Sequence, residues 1–327
     1  MYNALRAGEG LNTTAMTERG WLMAVRRWID TSHGYGSDPE DRRIDWIRLI
    51  PFAGLHLACL GVIWVGWSPV AVGVAAGLYA IRMFALTAFY HRYFSHRAFR
   101  THRFTQFLFA LLGNSAVQRG PLWWAAHHRH HHRHSDTDQD WHSPVQHGFL
   151  RSHMGWFLSR GGFATRTEQI PDLMAYPELR WLDRFNNLVP LLLAVALYAL
   201  GGWLGHAWPQ SGTSGPQMLV WGFFVSTIAL FHGSVTINSL AHRFGTRRYA
   251  TRDNSRNNWL LALLTFGEGW HNNHHHFPGA VRQGVRWWEL DLTWCGLKLM
   301  QACGLVWDLK KAPIERMVHK RPTGDEQ

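Results

Sequence analysis

Cysteine is scarce in these 327 residues. Cys59, Cys295 and Cys303 show no Cys-x-x-Cys spacing, which argues against both a disulfide framework and a thiolate metal site. Charged residues make up only 17% of the chain, and no obvious set of carboxylates stands among its metal-binding residue types. The first 45 residues lack the apolar core of a signal peptide. Lysine and arginine are missing from two short intervals, 68–69 and 205–216, although the formal net charge is +11. The basic residues form no single stripe of the kind that tracks a phosphate backbone, so no nucleic-acid partner is expected.

What is abundant is histidine, 22 residues of it, together with 19 Trp and 18 Phe. The mean hydropathy of −0.19 averages long apolar runs with a polar remainder. Four runs are long enough to cross a bilayer, at about 46–67, 70–89, 188–204 and 217–237. Many of the aromatics sit near the ends of these runs, where interfacial belts form. The run at Phe104–Val117 is too short to span and reads as a buried or re-entrant helix. Upstream, Met16–Ile29 has amphipathic spacing, and Trp287–Val306 has it near the other end.

Charge placement orients this bundle. Apart from Arg48 and Arg82, inside apolar runs, every Lys and Arg falls in residues 1–46, 90–187 or 243–327. By the positive-inside rule those three stretches share the cytoplasmic side. The expected fold is an all-α integral membrane protein: four transmembrane helices under a cytoplasmic helical cap. An N-terminal arm (1–45) and a polar tail (311–327) flank a domain at 46–310. Arg82 is expected to snorkel or to face the bundle interior.

All the dense histidine motifs fall on that one side. His271, His274 and His275 stand at i, i+3 and i+4, on one face of a helix. The same H-x-x-H-H spacing occurs within His127–His132, where His127/His130/His131 and His128/His131/His132 both satisfy it. His91 and His96 are five apart, about 140° on a regular helix, so they converge only where the helix ends or bends. Asn238 and His242 share a face where the fourth run ends. His56 and His232, inside apolar runs, read as packing or hydrogen-bonding residues. Asp136, Asp138 and Glu268 are candidates to hold the far ring nitrogens of metal-bound imidazoles.

So many neutral imidazoles exceed the needs of one metal, and two metals sharing them is the economical reading. Structural zinc more often uses cysteine, and no methionine-rich pattern points to copper. An all-nitrogen di-iron centre activating O2 fits best, unlike the carboxylate-rich centres of soluble bundles. At a bilayer, the matching substrate is a lipid chain with unactivated C–H bonds.

His91-Arg92-Tyr93-Phe94-Ser95-His96, the box at His128–His132, Asn238…His242 and Gly267-Glu268-Gly269-Trp270-His271-Asn272-Asn273-His274-His275 together resemble the membrane fatty acid desaturases of the stearoyl-CoA (Δ9) type, here a bacterial one. The resemblance covers roughly residues 45–310. It places the middle box at His128, His131 and His132, because the family's box follows Trp-Ala-x-x and precedes x-x-Ser-(Asp/Glu)-Thr. It implies nine ligands, His91, His96, His128, His131, His132, His242, His271, His274 and His275, with Asn238 acting through water. His276 stands where animal enzymes usually carry Thr and is not expected among them.

The resemblance further implies two iron ions, O2 as co-substrate and a cis double bond made in a saturated long-chain acyl-CoA or acyl-lipid. Two electrons would come from a separate carrier (ferredoxin, rubredoxin or a b5-type cytochrome) and its reductase, since the tail lacks the Cys clusters or length for a fused redox domain. Similar enzymes bury the acyl chain in a bent tunnel. Ala75 and Tyr79, one turn apart on the second run, are candidates for its closed end, and Gln118 and Trp124 for its lining. Arg119 is a candidate for a CoA phosphate. The expected location is the inner membrane, with termini and metals cytoplasmic. The alternatives are a membrane hydroxylase or acetylenase and, more remotely, a non-catalytic metal-binding or transport protein.

Overall fold

The computed structural model describes residues 22–33, 38 and 41–313. Most of the expected arm and tail, and the amphipathic segment up to residue 21, lie outside these. The rest of that segment, 22–29, is a helix with Leu22, Trp28 and Ile29 exposed. Asp30, just after it, pairs with Arg184 at 2.6 Å.

Among the described residues, four helices are long and apolar enough to cross a membrane: α1 (Trp46–Val65), α2 (Pro69–Ser95), α6 (Leu188–Ala207) and α7 (Gly215–Ser239). Local chemistry sets their starts. Asp45 accepts from the Ile47 amide at the head of α1, and Ser68 accepts from the Ala71 amide with Pro69 in the first turn of α2. Ser214 and Gln217 form a reciprocal capping box at the head of α7. Helix α1 has no buried residue between Trp46 and Ala58 and lies on the outside of the bundle. Both inner helices run past their expected ends. The backbone of α2 widens into a π-helix at Ala85–Ser95 and carries the span six residues beyond position 89.

The two intervals without Lys or Arg meet at one end of the bundle, where Ser68 Oγ lies 2.9 Å from Thr213 Oγ1. Arg82 faces the bundle interior rather than snorkelling. Its guanidinium donates to the carbonyls of Leu78 (3.1 Å) and Ser115 (3.2 Å), to Thr227 Oγ1 (2.8 Å) and to Ser226 Oγ. An intramembrane cation is tolerated when its donors are satisfied this way, and here it ties α2 to α7 and to the cap.

The cap fills the other end. It contains α3 (Arg103–Asn114), α4 (Pro121–His134), α5 (Pro177–Arg184), α8 (Trp259–Leu264), α9 (His271–His276) and α10 (Leu292–Ala302). A two-residue ladder, β1 (Arg100–Thr101) against β2 (Val306–Trp307), closes it. The apolar run at Phe104–Val117 thus becomes the short helix α3, packed on α2 rather than spanning. The main core lies where α2, α3, α4 and α5 meet, around Phe89, Tyr90, Phe94, Leu122, Leu179 and Leu182.

Candidate metal centre

Three helices and one helix end converge beneath the cap, each shaped by its sequence. On α2, His91 and His96 would diverge on a regular helix. The π-helix closes its hydrogen bonds between i and i+5, which stacks residues five apart on one face. The His96 amide donates to the His91 carbonyl at 3.2 Å, and the two ring centroids stand 4.9 Å apart. The helix changes its winding to make a five-residue spacing work.

On α4 and α9 the H-x-x-H-H spacing acts as a fork. Residues i and i+4 lie about 40° apart around a helix, while i+3 lies about 60° to the other side of i. On α4, His128 and His132 accordingly face one centre and His131 the other; on α9, His271 and His275 share a centre while His274 turns away. Two groups result: His91, His96, His128, His132 and His274, and His131, His242, His271 and His275. Within each group one ligating atom per residue lies within 4.8 Å of all the others. Rings of the two groups approach to 4.5 Å at His132 and His275. His142, with Asp140 and His131, forms a third and overlapping group.

Ring nitrogens meet where hydrogen bonding alone is a poor account of them. His274 Nε2 stands 3.0 Å from His91 Nε2 and 2.9 Å from His132 Nε2. His96 Nε2 is 2.8 Å from His128 Nε2, and His242 Nε2 is 3.0 Å from His271 Nε2. Two nitrogens bound at right angles to one metal, with bonds of about 2.1 Å, would stand about 3 Å apart. Buried nitrogens of His271 (Nδ1), His274 (Nδ1) and His275 (Nε2) have no protein partner. Burial holds His96, His128, His132, His271 and His274 well below the ordinary imidazole range, aided by neighbouring rings, and His275 down to about 4. These are neutral donors, the form a metal binds. The residues present fit nitrogen-liganded transition metals.

Carboxylates grip the far side of four rings, as expected where imidazoles are oriented for metal. His242 Nδ1 lies 3.0 Å from Asp136, His131 Nδ1 3.0 Å from Asp140, and His275 Nδ1 2.7 Å from Asp253, while His91 Nδ1 meets Glu268. Burial would raise these acids, but the rings outweigh it: Asp136 and Glu268 are held at about 2, and Asp140 and Asp253 are also lowered. In contrast to His96 and the other rings lowered above, the buried His131 beside Asp140 has its pKa raised despite desolvation. Arg92 clamps Glu268 (3.0 Å) and Asp291 (3.0 Å), joining α2 to the loops around α9.

Some sequence expectations find a different place here. Asp138 is solvent-exposed; the ring contact belongs to Asp140, two residues on, because the turn after α4 points Asp140 inward. Asp253 and Gln283, which bonds His91 Nδ1 at 3.4 Å, were not expected, and no spacing links either to a histidine box. His127 and His130 turn to the carbonyls of Ala164 (3.2 Å) and Gln139 (3.0 Å). His276 stacks on Tyr249 at 4.3 Å, outside both groups.

Two cavities adjoin the histidines. One, of about 120 Å³, is lined by Gln118, Arg119, Trp124, His128, Phe231 and Asn238 among others. The second, of about 60 Å³, is lined by Met83, Leu86, Ile237 and Thr265 together with His91, His128, His131 and His271. They share Trp124, His128, Ser234 and Asn238. Ala75 and Tyr79 line neither. Tyr79 sits behind the second cavity: its hydroxyl donates to the Leu264 carbonyl at 2.7 Å, and it borders Gly233 next to Met83.

Residues 65–302 match the family described as Fatty acid desaturase. The chain belongs to the fatty acid desaturase family. It is 37% identical over 296 residues to an acyl-CoA 5-desaturase of Anemone leveillei, with 86% of each chain covered. It is 41% identical to a palmitoyl-monogalactosyldiacylglycerol delta-7 desaturase of Arabidopsis thaliana, over 83% of this chain and 70% of that one. An sn-1 stearoyl-lipid 9-desaturase of Anabaena variabilis is 37% identical, over 83% of this chain and 95% of the relative. The family catalyses fatty acid desaturation, so the chain is an oxidoreductase of lipid metabolism. These three relatives are named for desaturation at positions 5, 7 and 9, one of an acyl-CoA and two of acyl-lipids.

Proposed function

We propose that this desaturase uses two irons to insert a cis double bond at Δ9 of a saturated long-chain acyl-CoA or acyl-lipid. The observation that carries the reading is the second cavity. Its apolar wall of Met83, Leu86 and Ile237 faces ring atoms of His91, His128, His131 and His271 across one small space. An alkyl chain lying along that wall would have its methylene groups against the histidine rings.

In this reading His91, His96, His128, His132 and His274 hold one iron, and His131, His242, His271 and His275 the other, with Asn238 reaching a metal through water. Bound iron supplies the O2-derived oxidant for unactivated C–H bonds, chemistry that belongs to the cofactor. The chain's own residues do the positioning. Glu268, Asp140, Asp136 and Asp253 fix ring orientation, and Trp124, stacked 5.0 Å from His128, forms part of the wall where the two cavities meet. Gln118, bonded to Ser234 at 2.7 Å, and Arg119 stand at the first cavity, where the acyl carbonyl or headgroup would rest. Water is kept out by the aromatic lining. The functional domain is residues 46–310, seated in the inner membrane with metals and termini cytoplasmic, and a separate carrier supplies electrons.

The test is direct. Protein from iron-supplemented cells is analysed for metal, then incubated with stearoyl-CoA or a stearoyl-lipid, O2 and a reductant–carrier pair. About two irons per chain and an oleoyl product lost in His274→Ala support the reading, and the productive substrate decides its form. A hydroxylated product would change the reaction class. No stoichiometric metal after reconstitution would sink the iron assignment.

A further inference from the structure

Desaturation needs two electrons from outside, and electron transfer slows steeply with distance, so the point of entry must lie close to the metal ligands. One surface feature meets that need. Trp287 is 91% exposed and Trp288 47% exposed, in the loop between α9 and α10. Trp288 packs edge-on against Trp270, with ring centroids 5.7 Å apart. Trp270 is buried, held by its indole N–H on the Leu290 carbonyl at 2.9 Å, and is the residue directly before His271. Two rings thus lead from solvent to Trp270, whose backbone continues directly into His271 of the second group.

The surroundings are cationic. The Arg286 guanidinium lies 5.9 Å from the Trp288 ring, and Arg282 donates to the Arg286 carbonyl at 3.3 Å. Lys310 is brought beside them because its carbonyl accepts from the Val281 amide at 2.9 Å, and Lys311 follows it. The nearby acids are already engaged: Glu289 with Arg248 and Asp291 with Arg92, both buried, and Asp308 with Arg100. The Lys310 amide donates to Ala98, past the end of α2 at Ser95, so the patch lies outside the apolar spans.

We propose that Trp287, Trp288, Arg282, Arg286, Lys310 and Lys311 form the docking surface for a small acidic one-electron carrier protein, and that Trp288 and Trp270 carry its electrons to the metal centre. Exposed tryptophan ringed by cations is the composition of an interface hot spot for an acidic partner. Two carriers are oxidised per turnover, each giving up one electron. Those two electrons, O2, two protons and the two hydrogen atoms removed from the acyl chain yield one double bond and two waters. The inference rests on the desaturase reading above.

The probe is a plant-type [2Fe–2S] ferredoxin, tested on full-length holoprotein in lipid nanodiscs. Arg282→Glu with Arg286→Glu should raise the KM for ferredoxin by about tenfold at low salt, with the difference shrinking as salt rises. Trp288→Leu should slow oxidation of saturating reduced ferredoxin by about tenfold, while dithionite reduces the metal at the wild-type rate and iron content is unchanged. Equal ferredoxin kinetics in both variants overturn the proposal. So does quenching of Trp287 and Trp288 fluorescence by brominated lipid with no protection by ferredoxin, which assigns the patch to the bilayer. Wild-type protein that makes no unsaturated product with ferredoxin or with dithionite overturns the desaturase reading, and the docking proposal with it.

Discussion

A histidine that gives one ring nitrogen to a metal needs something to fix the other, and Asp253 is placed to do this for His275 in the proposed site. The carboxylate also accepts from the Ser255 amide at 2.9 Å, so an amide in its place keeps the loop but meets the His275 N–H with poorer geometry. Asp253→Asn should therefore weaken metal binding by about 10–100-fold while leaving thermal stability nearly intact. Competition with a chelator reads this, and an unchanged affinity would mean the contact is incidental. Beyond the second cavity, Tyr79 is pinned beside Met83 by its bond to the Leu264 carbonyl. Removing the ring in Tyr79→Ala extends the space beyond the second cavity, so the product profile should move to longer chains. Gas chromatography of the acyl products measures it; an unshifted profile would make Tyr79 a packing residue.

At the scale of elements, α4 carries three of the nine rings, and its place is set at Gly120, the residue that caps its start. A Cβ on Gly120 would lie 2.3 Å from Asp183 Oδ1 and 2.4 Å from its Cα, while the same carboxylate accepts from the Trp123 amide at 2.8 Å. Gly120→Ala must push α4 off α5, at an overpacking cost of about 1–3 kcal/mol, and tilt His128, His131 and His132 together. Lower melting temperature with reduced iron content is expected. Gly77→Ala, with open space at its Cβ, should be neutral or slightly stabilising. This element also shows what sequence can reveal. Spans, boxes and their common side were legible because bilayer thickness and helix periodicity are one-dimensional. The i, i+3, i+4 spacing reads from sequence as one face, whereas in the structure it forks between two histidine groups. The π-helix under His91 and His96 was not legible, since no local residue pattern dictates it; the sequence showed only that a regular helix could not serve. Nor could spacing choose Asp140 over Asp138, because a turn's geometry decides which acid points inward, or find Asp253, brought from a distant loop.

Considered as a whole, the molecule buries a block of neutral imidazoles against a charged cap, which makes the metal-free fold sensitive to acid. Folded His96, His128, His132, His271 and His274 lie well below their unfolded value of about 6.5, and His275 at about 4. The unfolded chain then binds more protons, so stability is full above about pH 6.5 and falls as pH drops toward 4. Glu268 and Asp136, at about 2, stay ionised through that window and do not oppose it, while His131, raised beside Asp140, opposes it as one ring against six. Apoprotein melting should drop clearly between pH 7.5 and 5; a flat profile would mean the rings are hydrated.

The same block is expected on the cytoplasmic side, because both basic-free loops meet at the opposite end through Ser68 and Thr213. Cys295 and Cys303 are exposed on the cap, and Gln210 is exposed in the far loop. A membrane-impermeant maleimide on intact cells should label Gln210→Cys and leave wild-type protein unlabelled until lysis. Labelling of the wild type in intact cells would invert the topology, and with it the side from which electrons can reach Trp288.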